Sequence, residues 1–288
     1  MEKIKLTVIT GPTASGKSAM AEKLALEMGG EIVSCDSMQI YKGLDIGTAK
    51  PTLEERRRVP YHMIDIVPMT EEYSCADYVE AARGVIEDIS KRGKRPILCG
   101  GTGLYVENLL HPTQFSTAGA DEEYRLSLEV YTNAELHSML EKIDPESAAS
   151  VHENNRKRVA RALEIFHLTG IPKSQWDKNS RVQDTPYEVE HYTLVASDRE
   201  YLYDRINKRV DKMLEDGLVQ EAMGVDFEKC PTAAQAIGYK ELRGYLEGHI
   251  SLEAATEDLK RSTRNYAKRQ LTWFSRYKDA ERIDICKK

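Results

Sequence analysis

The chain has 288 residues, of which 41% are hydrophobic and 31% charged, with a net charge of −6. That length can bury one substantial core and still carry a smaller unit. The composition is that of an ordinary soluble protein, no apolar run approaches the ~18 residues of a membrane span, and the acidic balance means that any nucleic-acid binding must rest on local basic patches.

The first three residues lead straight into Ile4 to Thr10, too short an apolar run for a secretory h-region, so a cytoplasmic protein is expected. Ile4, Leu6 and Val8 predict a buried strand. It is followed by Gly11-Pro12-Thr13-Ala14-Ser15-Gly16-Lys17-Ser18, which fits the phosphate-binding P-loop pattern. Glycines at 11 and 16 let the backbone turn its N–H groups around an anion, and a helix opening near Lys17 adds positive potential there. Lys17 would reach the outer phosphate and Ser18 would hold Mg²⁺. Four fixed positions match by accident in on the order of one chain in a hundred of this length. A diphosphate or triphosphate ligand is therefore expected.

Met20, Ala21, Leu24, Ala25 and Met28 fall at helical spacing, and Gly29-Gly30 ends the helix. Glu31 to Cys35 predicts a second strand with Asp36 at its carboxyl end, the edge where open parallel sheets bind ligands. Residues 37–50 read as a loop across the site, and Arg56-Arg57-Arg58 as a solvated helix face. His62 to Val67 predicts a short strand with His62 structural. Ser74 and Asp77 predict a capping box for a helix with Tyr78, Ala82, Ile86 and Ile89 inward. Pro96 to Cys99 predicts a third strand. It enters Gly100-Gly101-Thr102-Gly103, a second glycine-rich turn that is either a tight connection or a partner of the P-loop through the Thr102 hydroxyl.

From His111 to about Tyr187 the pattern turns all-helical, with candidate helices at 121–131, 134–143 and 156–169. Residues 113–187 are thus expected to form a helical insertion in a catalytic core of 1–112 and 188–288. Arg156, Lys157, Arg158 and Arg161 crowd the start of the last helix against the macrodipole, which invites an anionic partner unless Glu153 or Glu164 pairs with them. Strand character returns at His191 to Ala196. Ser197 and Glu200 predict a capping box, and Arg205 and Arg209 share a row on the helix that follows. They point at the phosphates or pair with Asp204 and Asp211; spacing leaves both open. A long helix from Ser251 to about Tyr277 interleaves Lys260, Arg261, Arg264, Lys268 and Arg269 with Trp273 and Phe274. That mixture suits a structured RNA loop or a solvated helix with a core-facing Trp. Arg282 to Ile285 predicts a closing strand. The five cysteines are odd in number and show no C-x-x-C spacing, against both a disulfide framework and a zinc site.

The segments 11–18, 35–51 (CDSMQIYKGLDIGTAKP), 100–105 (GGTGLY), 155–170 (NRKRVARALEIFHLTG), 236–248 (AIGYKELRGYLEG) and 266–274 (YAKRQLTWF), in this order across nearly the whole chain, resemble the tRNA dimethylallyltransferase family. The sequence carries no zinc-finger extension, so the resemblance is to the bacterial type. It implies a P-loop NTPase-like α/β fold, a parallel sheet flanked by helices with a small all-helical insertion. The implied reaction moves a dimethylallyl group from dimethylallyl diphosphate to N6 of the adenosine 3′ of the anticodon in tRNA, with Mg²⁺. By resemblance Asp36 is the general base and Thr102 its partner, Lys17 and residues 11–18 hold the diphosphate, and Arg209, with Arg205 second, supplies a guanidinium. Asp36, Ser37, Met38, Gln39, Thr102, Lys157, Arg158, Val159, Ala160, Arg161, Lys268, Arg269 and Gln270 are the implied tRNA contacts. The insertion is shorter than is usual for the family, and His152 to Asn155 stands where a proline-containing turn is common. A P-loop kinase and an adenylate isopentenyltransferase are the alternatives. A GTPase-like switch ranks last, because Asn207 to Asp211 lacks N-K-x-D spacing. A monomer is the default expectation.

Overall fold

The computed structural model describes residues 3–111, 121–179 and 185–287. Strand β1 (Ile4–Thr10) is buried from Leu6 onward, and α1 (Lys17–Met28) starts at Gly16 and stops at Gly29, both in left-handed backbone. Every residue of β2 (Glu31–Cys35) is buried. The loop after it leads to α2 (Leu53–Arg58), where Thr52 and Glu55 form a capping box, and to β3 (Tyr61–His62). The strand expected over 62–67 stops there because Met63 (φ 61°) and Asp65 (φ 57°) adopt left-handed conformations that turn the chain away. Helix α3 (Cys75–Lys91) has the expected Ser74–Asp77 box and inward stripe. It is followed by β4 (Pro96–Gly100) and α4 (Gly103–Leu110).

Next come the helices α5 (Glu122–Ser127), α6 (Asn133–Ile143), α7 (Pro145–Ser150), α8 (Arg156–Thr169) and α9 (Lys173–Asn179). The chain then returns to β5 (Tyr187–Val195) and α10 (Arg199–Glu215), and on to α11 (Leu218–Met223), α12 (Tyr239–Leu246), α13 (Leu252–Phe274) and β6 (Glu281–Asp284). The cap of α10 differs from expectation. Asp198, not Ser197, accepts from Glu200 N–H, because the Ser197 N–H is taken by the Asp284 carboxylate of β6.

The chain divides into one unit of Met1–Leu110 with Pro186–Lys288 and a second of His111–Thr185. The boundary expected at 112/113 lies outside the described residues. In the first unit all strand pairs are parallel, in the order β3-β2-β4-β1-β5-β6. Parallel strands covered on both faces read as continuous apolar runs, as 97–99 does. Ile9, Ile32 and Ile97 pack with Leu202 and Ile206 of α10, and a further core joins Tyr41 and Leu44 to Leu218, Tyr239, Leu242 and Leu259. Each such side chain contributes about 1.5–3 kcal/mol by leaving water. Because β1 lies between β4 and β5, the direction of winding reverses at the P-loop strand, which is where open α/β sheets form their ligand crevice.

The second unit packs Leu136 and Leu140 of α6 against Val159 and Leu163 of α8. Its helices α7 and α9 were not expected from periodicity. One buried carboxylate, Asp144, caps both: it accepts from Ser147 N–H (3.0 Å), Ser174 N–H (2.8 Å) and the Ser174 hydroxyl (2.6 Å).

Candidate active site

Three turns leave adjacent strands at the same sheet edge: the P-loop after β1, Asp36 after β2 and Gly101-Thr102 after β4. In the P-loop, Gly11 has φ +141°, and a Cβ there would lie 2.6 Å from the Leu194 carbonyl oxygen of β5, so only glycine lets the cradle sit this close to the sheet. The Lys17 ammonium donates to the Pro12 carbonyl (2.6 Å), and burial lowers its pKa to about 8. The Ser15 hydroxyl is buried with no hydrogen-bond partner among the described residues, as suits a donor for a phosphate oxygen. On the far side Gln270 of α13 accepts from Thr13 N–H (2.7 Å) and donates to the Gly101 carbonyl (3.0 Å), tying the two glycine-rich turns together.

Asp36 is half-buried, and its Oδ1 accepts from Met38 N–H (2.9 Å) and Gln39 N–H (3.3 Å), while Oδ2 accepts no hydrogen bond from the described residues. Thr102 Oγ1 accepts from Ser37 N–H (3.0 Å) and faces the Ser37 hydroxyl (3.4 Å), so the expected pairing of Asp36 and Thr102 is made through the turn that carries both. A cavity of about 270 Å³ opens here; Thr13, Asp36, Ser37, Thr48, Arg209, Tyr266 and Arg269 supply its polar lining and Met38, Val210, Ile237 and Leu259 its apolar lining. A second groove lies over Gly16, Lys17, Ser18, Arg205 and Arg209. Arg209 lines both. Burial lowers its pKa, with the Asp36 carboxylate opposing that shift. Arg205 donates to the Ala14 carbonyl (2.7 Å). Neither arginine makes the surface pair left open by spacing, since Asp204 pairs with Lys208 and Asp211 with Lys260.

The IPP transferase family model matches residues 39–277. The chain belongs to the IPP transferase family. A tRNA dimethylallyltransferase of Caldanaerobacter subterraneus subsp. tengcongensis is 45% identical over 282 residues, covering 95% of this chain and 90% of that one. The enzyme of the same name from Halalkalibacterium halodurans is 47% identical over 279 residues, covering 94% and 88%. The crystal structure of the full-length tRNA isopentenylpyrophosphate transferase of Bacillus halodurans superposes with a TM-score of 0.73 at 45% identity, over 98% of this chain and 90% of that chain. A eukaryotic dimethylallyltransferase, described as acting on tRNA, superposes at 0.85 and 32% identity, over 98% and 74%. The family resemblance and the α/β fold read from the motifs are both borne out.

As an IPP transferase, the chain distributes its expected RNA contacts unevenly. Lys157 and Arg158 are exposed at the start of α8, and Lys268 and Arg269 are exposed on α13, where they lie over the rings of Tyr203 and Tyr266. Arg156 is used internally on the Tyr131 and Leu128 carbonyls, and Arg161 pairs with the fully buried Glu164. Burial raises the Glu164 carboxyl, but hydrogen bonds from Arg161, Asp121 N–H and Arg125 outweigh it, and its pKa lies below the usual value. Four of the expected contacts have side chains turned largely to the protein itself. Val159 has no exposed side-chain surface, because it faces the core of the helical unit, and Ala160 packs half-buried beside it. Gln270 is 4% exposed, and its amide is spent on Thr13 and Gly101. The Gln39 amide accepts from the Ser34 hydroxyl and donates to the Thr48 and Ala49 carbonyls, which closes its own loop.

Other residues that build the IPP transferase site lie outside the recognisable motifs or carry no signal within them. The ammonium of Lys50 is almost wholly buried and joins the Tyr41 carbonyl (2.6 Å), Asp45 (2.8 Å) and Asp65 (2.6 Å), folding the loop over residues 36–50. Tyr266, at the cavity wall, points its hydroxyl toward the Gly101 carbonyl (3.5 Å). Its helical spacing from Gln270 is the signal that could have found it. Among the described residues no group of three His, Cys, Asp or Glu side chains could hold a metal. Mg²⁺ that keeps its waters and shares substrate phosphate oxygens needs only one or two protein oxygens. The exposed Ser18 hydroxyl on the first turn of α1 fits that role.

Proposed function

We propose that the chain transfers a dimethylallyl group from dimethylallyl diphosphate to the N6 amine of the adenosine immediately 3′ of the anticodon in tRNA, and that it works as a cytoplasmic monomer. The observation that carries this reading is the shared wall. Arg209 lines both the groove over the P-loop and the cavity that contains Asp36. A diphosphate and a nucleobase held in the two would meet at that guanidinium.

The P-loop amides, the Lys17 ammonium and the Arg209 guanidinium hold the diphosphate, where negative charge develops on the bridging oxygen as the allylic C–O bond breaks. The new bond joins the allylic carbon to N6. Adenine N6 is a weak nucleophile because its lone pair is delocalised into the ring. Asp36, fixed by the Met38 and Gln39 amides, takes the proton that N6 gives up, and diphosphate leaves. Ser18 would hold Mg²⁺, which would supply charge neutralisation at the leaving group. The adenine must be flipped from the loop stack at a cost of a few kcal/mol. Lys268, Arg269, Lys157 and Arg158 offset that cost through the anticodon stem-loop phosphates.

Mass spectrometry of unmodified tRNA incubated with the protein, Mg²⁺ and either dimethylallyl diphosphate or ATP tests this reading. A tRNA adduct of one dimethylallyl group, formed without ATP, is expected. Phosphoryl transfer from ATP to a small acceptor, or prenylation of AMP in preference to tRNA, would overturn it.

A further inference from the structure

Glu221 sits on α11 between the buried Leu218 and Ala222, and its carboxylate is turned to the backbone of the loop that follows β2. One oxygen accepts from the N–H groups of Asp45 and Ile46, both at 2.8 Å. The other accepts from Gly47 N–H at 2.9 Å and from the Tyr239 hydroxyl at 2.6 Å. Successive backbone N–H groups converging on an anion form a nest, and charge-assisted bonds of this kind are about twice as strong as neutral ones.

The two bonded segments both reach the lining of the cavity. Gly47 and Thr48 line one side, and Ala236, Ile237 and Gly238, the residues leading into Tyr239, line another. The walls touch, since a Cβ at Gly238 would lie 3.8 Å from the Gly47 Cα and a Cβ at Gly47 would lie 2.6 Å from the Tyr239 hydroxyl. The Lys50 end of the loop is anchored on Asp65 and also joins the clasped Asp45. One carboxylate thus hydrogen-bonds both segments, and it is not among the residues lining the cavity.

We infer that Glu221 is a positioning residue: by clasping residues 45–47 to Tyr239 it sets the width of the cavity that receives the flipped adenine. This rests on reading the cavity as the nucleobase site. Gln at 221 keeps one acceptor oxygen but turns an NH₂ toward donors, and Ala removes both acceptors. Phe at 239 deletes a single hydroxyl and leaves the three amides bonded.

The test compares Tyr239→Phe, Glu221→Gln and Glu221→Ala in steady-state transfer with each substrate varied, alongside hydrogen exchange of the 45–47 amides. A wall displaced by about 1 Å costs up to roughly a hundredfold. The expected result is therefore a graded loss in kcat/KM for tRNA, smallest for Tyr239→Phe and largest for Glu221→Ala. The KM for dimethylallyl diphosphate should stay unchanged, and exchange should be faster at 45–47 but not in β4. Should Glu221→Ala fail to fold, the other two variants carry the test. A KM for dimethylallyl diphosphate raised as much as that for tRNA, or wild-type tRNA kinetics in Glu221→Gln, would overturn the inference. If the wild-type protein did not modify tRNA at all, the proposed function would fail first. The clasp would then be judged by exchange alone, with unaltered protection of 45–47 in Glu221→Gln refuting it.

Discussion

Gln270→Leu isolates the tie between the two glycine-rich turns. Leucine keeps the helix propensity and most of the volume but removes the acceptor for Thr13 N–H and the donor for the Gly101 carbonyl. Each intact bond is worth about 0.5–1.5 kcal/mol net, and each buried partner left unpaired costs about 1–3 kcal/mol. The Thr13 end is half-buried and water can replace part of its loss, so the sum is about 2–4 kcal/mol. At about 2–4 °C per kcal/mol for a unit of this size, Tm should fall by roughly 5–15 °C. Because the same side chain holds the second residue after Gly11 in place, the KM for dimethylallyl diphosphate should also rise, by roughly tenfold. Gln270→Glu keeps the acceptor but buries a charge against the Gly101 carbonyl, and should lose at least as much stability. Calorimetry on the three proteins with parallel kinetics is the assay. A Tm within about 1 °C of wild type together with an unchanged KM would show that neither bond contributes what the geometry implies.

Three other perturbations test the site. Asp36→Ala should lower turnover by about 10²–10⁴ with little change in tRNA affinity; single-turnover rates and filter binding read the two, and undiminished turnover removes Asp36 from the base role. The Lys17 ammonium, with its pKa lowered by burial to about 8, carries its charge below that pH and loses it above. Affinity for the allylic diphosphate should therefore weaken as pH rises through 8. A Lys17→Arg variant, charged throughout, should lose that dependence while binding less well overall; an identical pH profile in the two would refute the role. Neutralising Lys268 and Arg269 together should weaken tRNA binding and reduce the slope of log K against log salt by roughly 0.7–0.9 for each phosphate that the protein no longer neutralises. A titration with the wild-type slope would make both residues structural.

The elements with a strong period or a glycine stop were legible in the sequence. The P-loop, β2 with Asp36, the capped α3 and the whole of α8 fall where apolar spacing and caps put them. What escaped depends on partners far along the chain. Helices α7 and α9 are too short to show a period and exist because Asp144 caps both. Strand β5 begins at Tyr187, earlier than expected, because its polar Glu190 is satisfied by Arg95 and Tyr192, which no local pattern announces. Among site residues, those in motifs were visible, but whether a polar side chain faces a ligand or the protein was not. Gln270 and Gln39 are spent inside the fold, and Lys50 and Glu221 organise the loop over the site from positions that read as ordinary surface charges.

The pairing of β1 with β5 has a consequence for how the protein is made. Thr10 bonds to Thr193, 183 positions later, so on the ribosome the nascent phosphate cradle emerges long before its neighbour strand exists. At about 5–20 residues per second the delay is roughly ten to forty seconds, during which the most apolar strands of the sheet have an open edge. Holdase chaperones have their opportunity in that interval. Destabilising substitutions in β5 should accordingly reduce the yield of newly synthesised protein more than they shorten the life of molecules already folded.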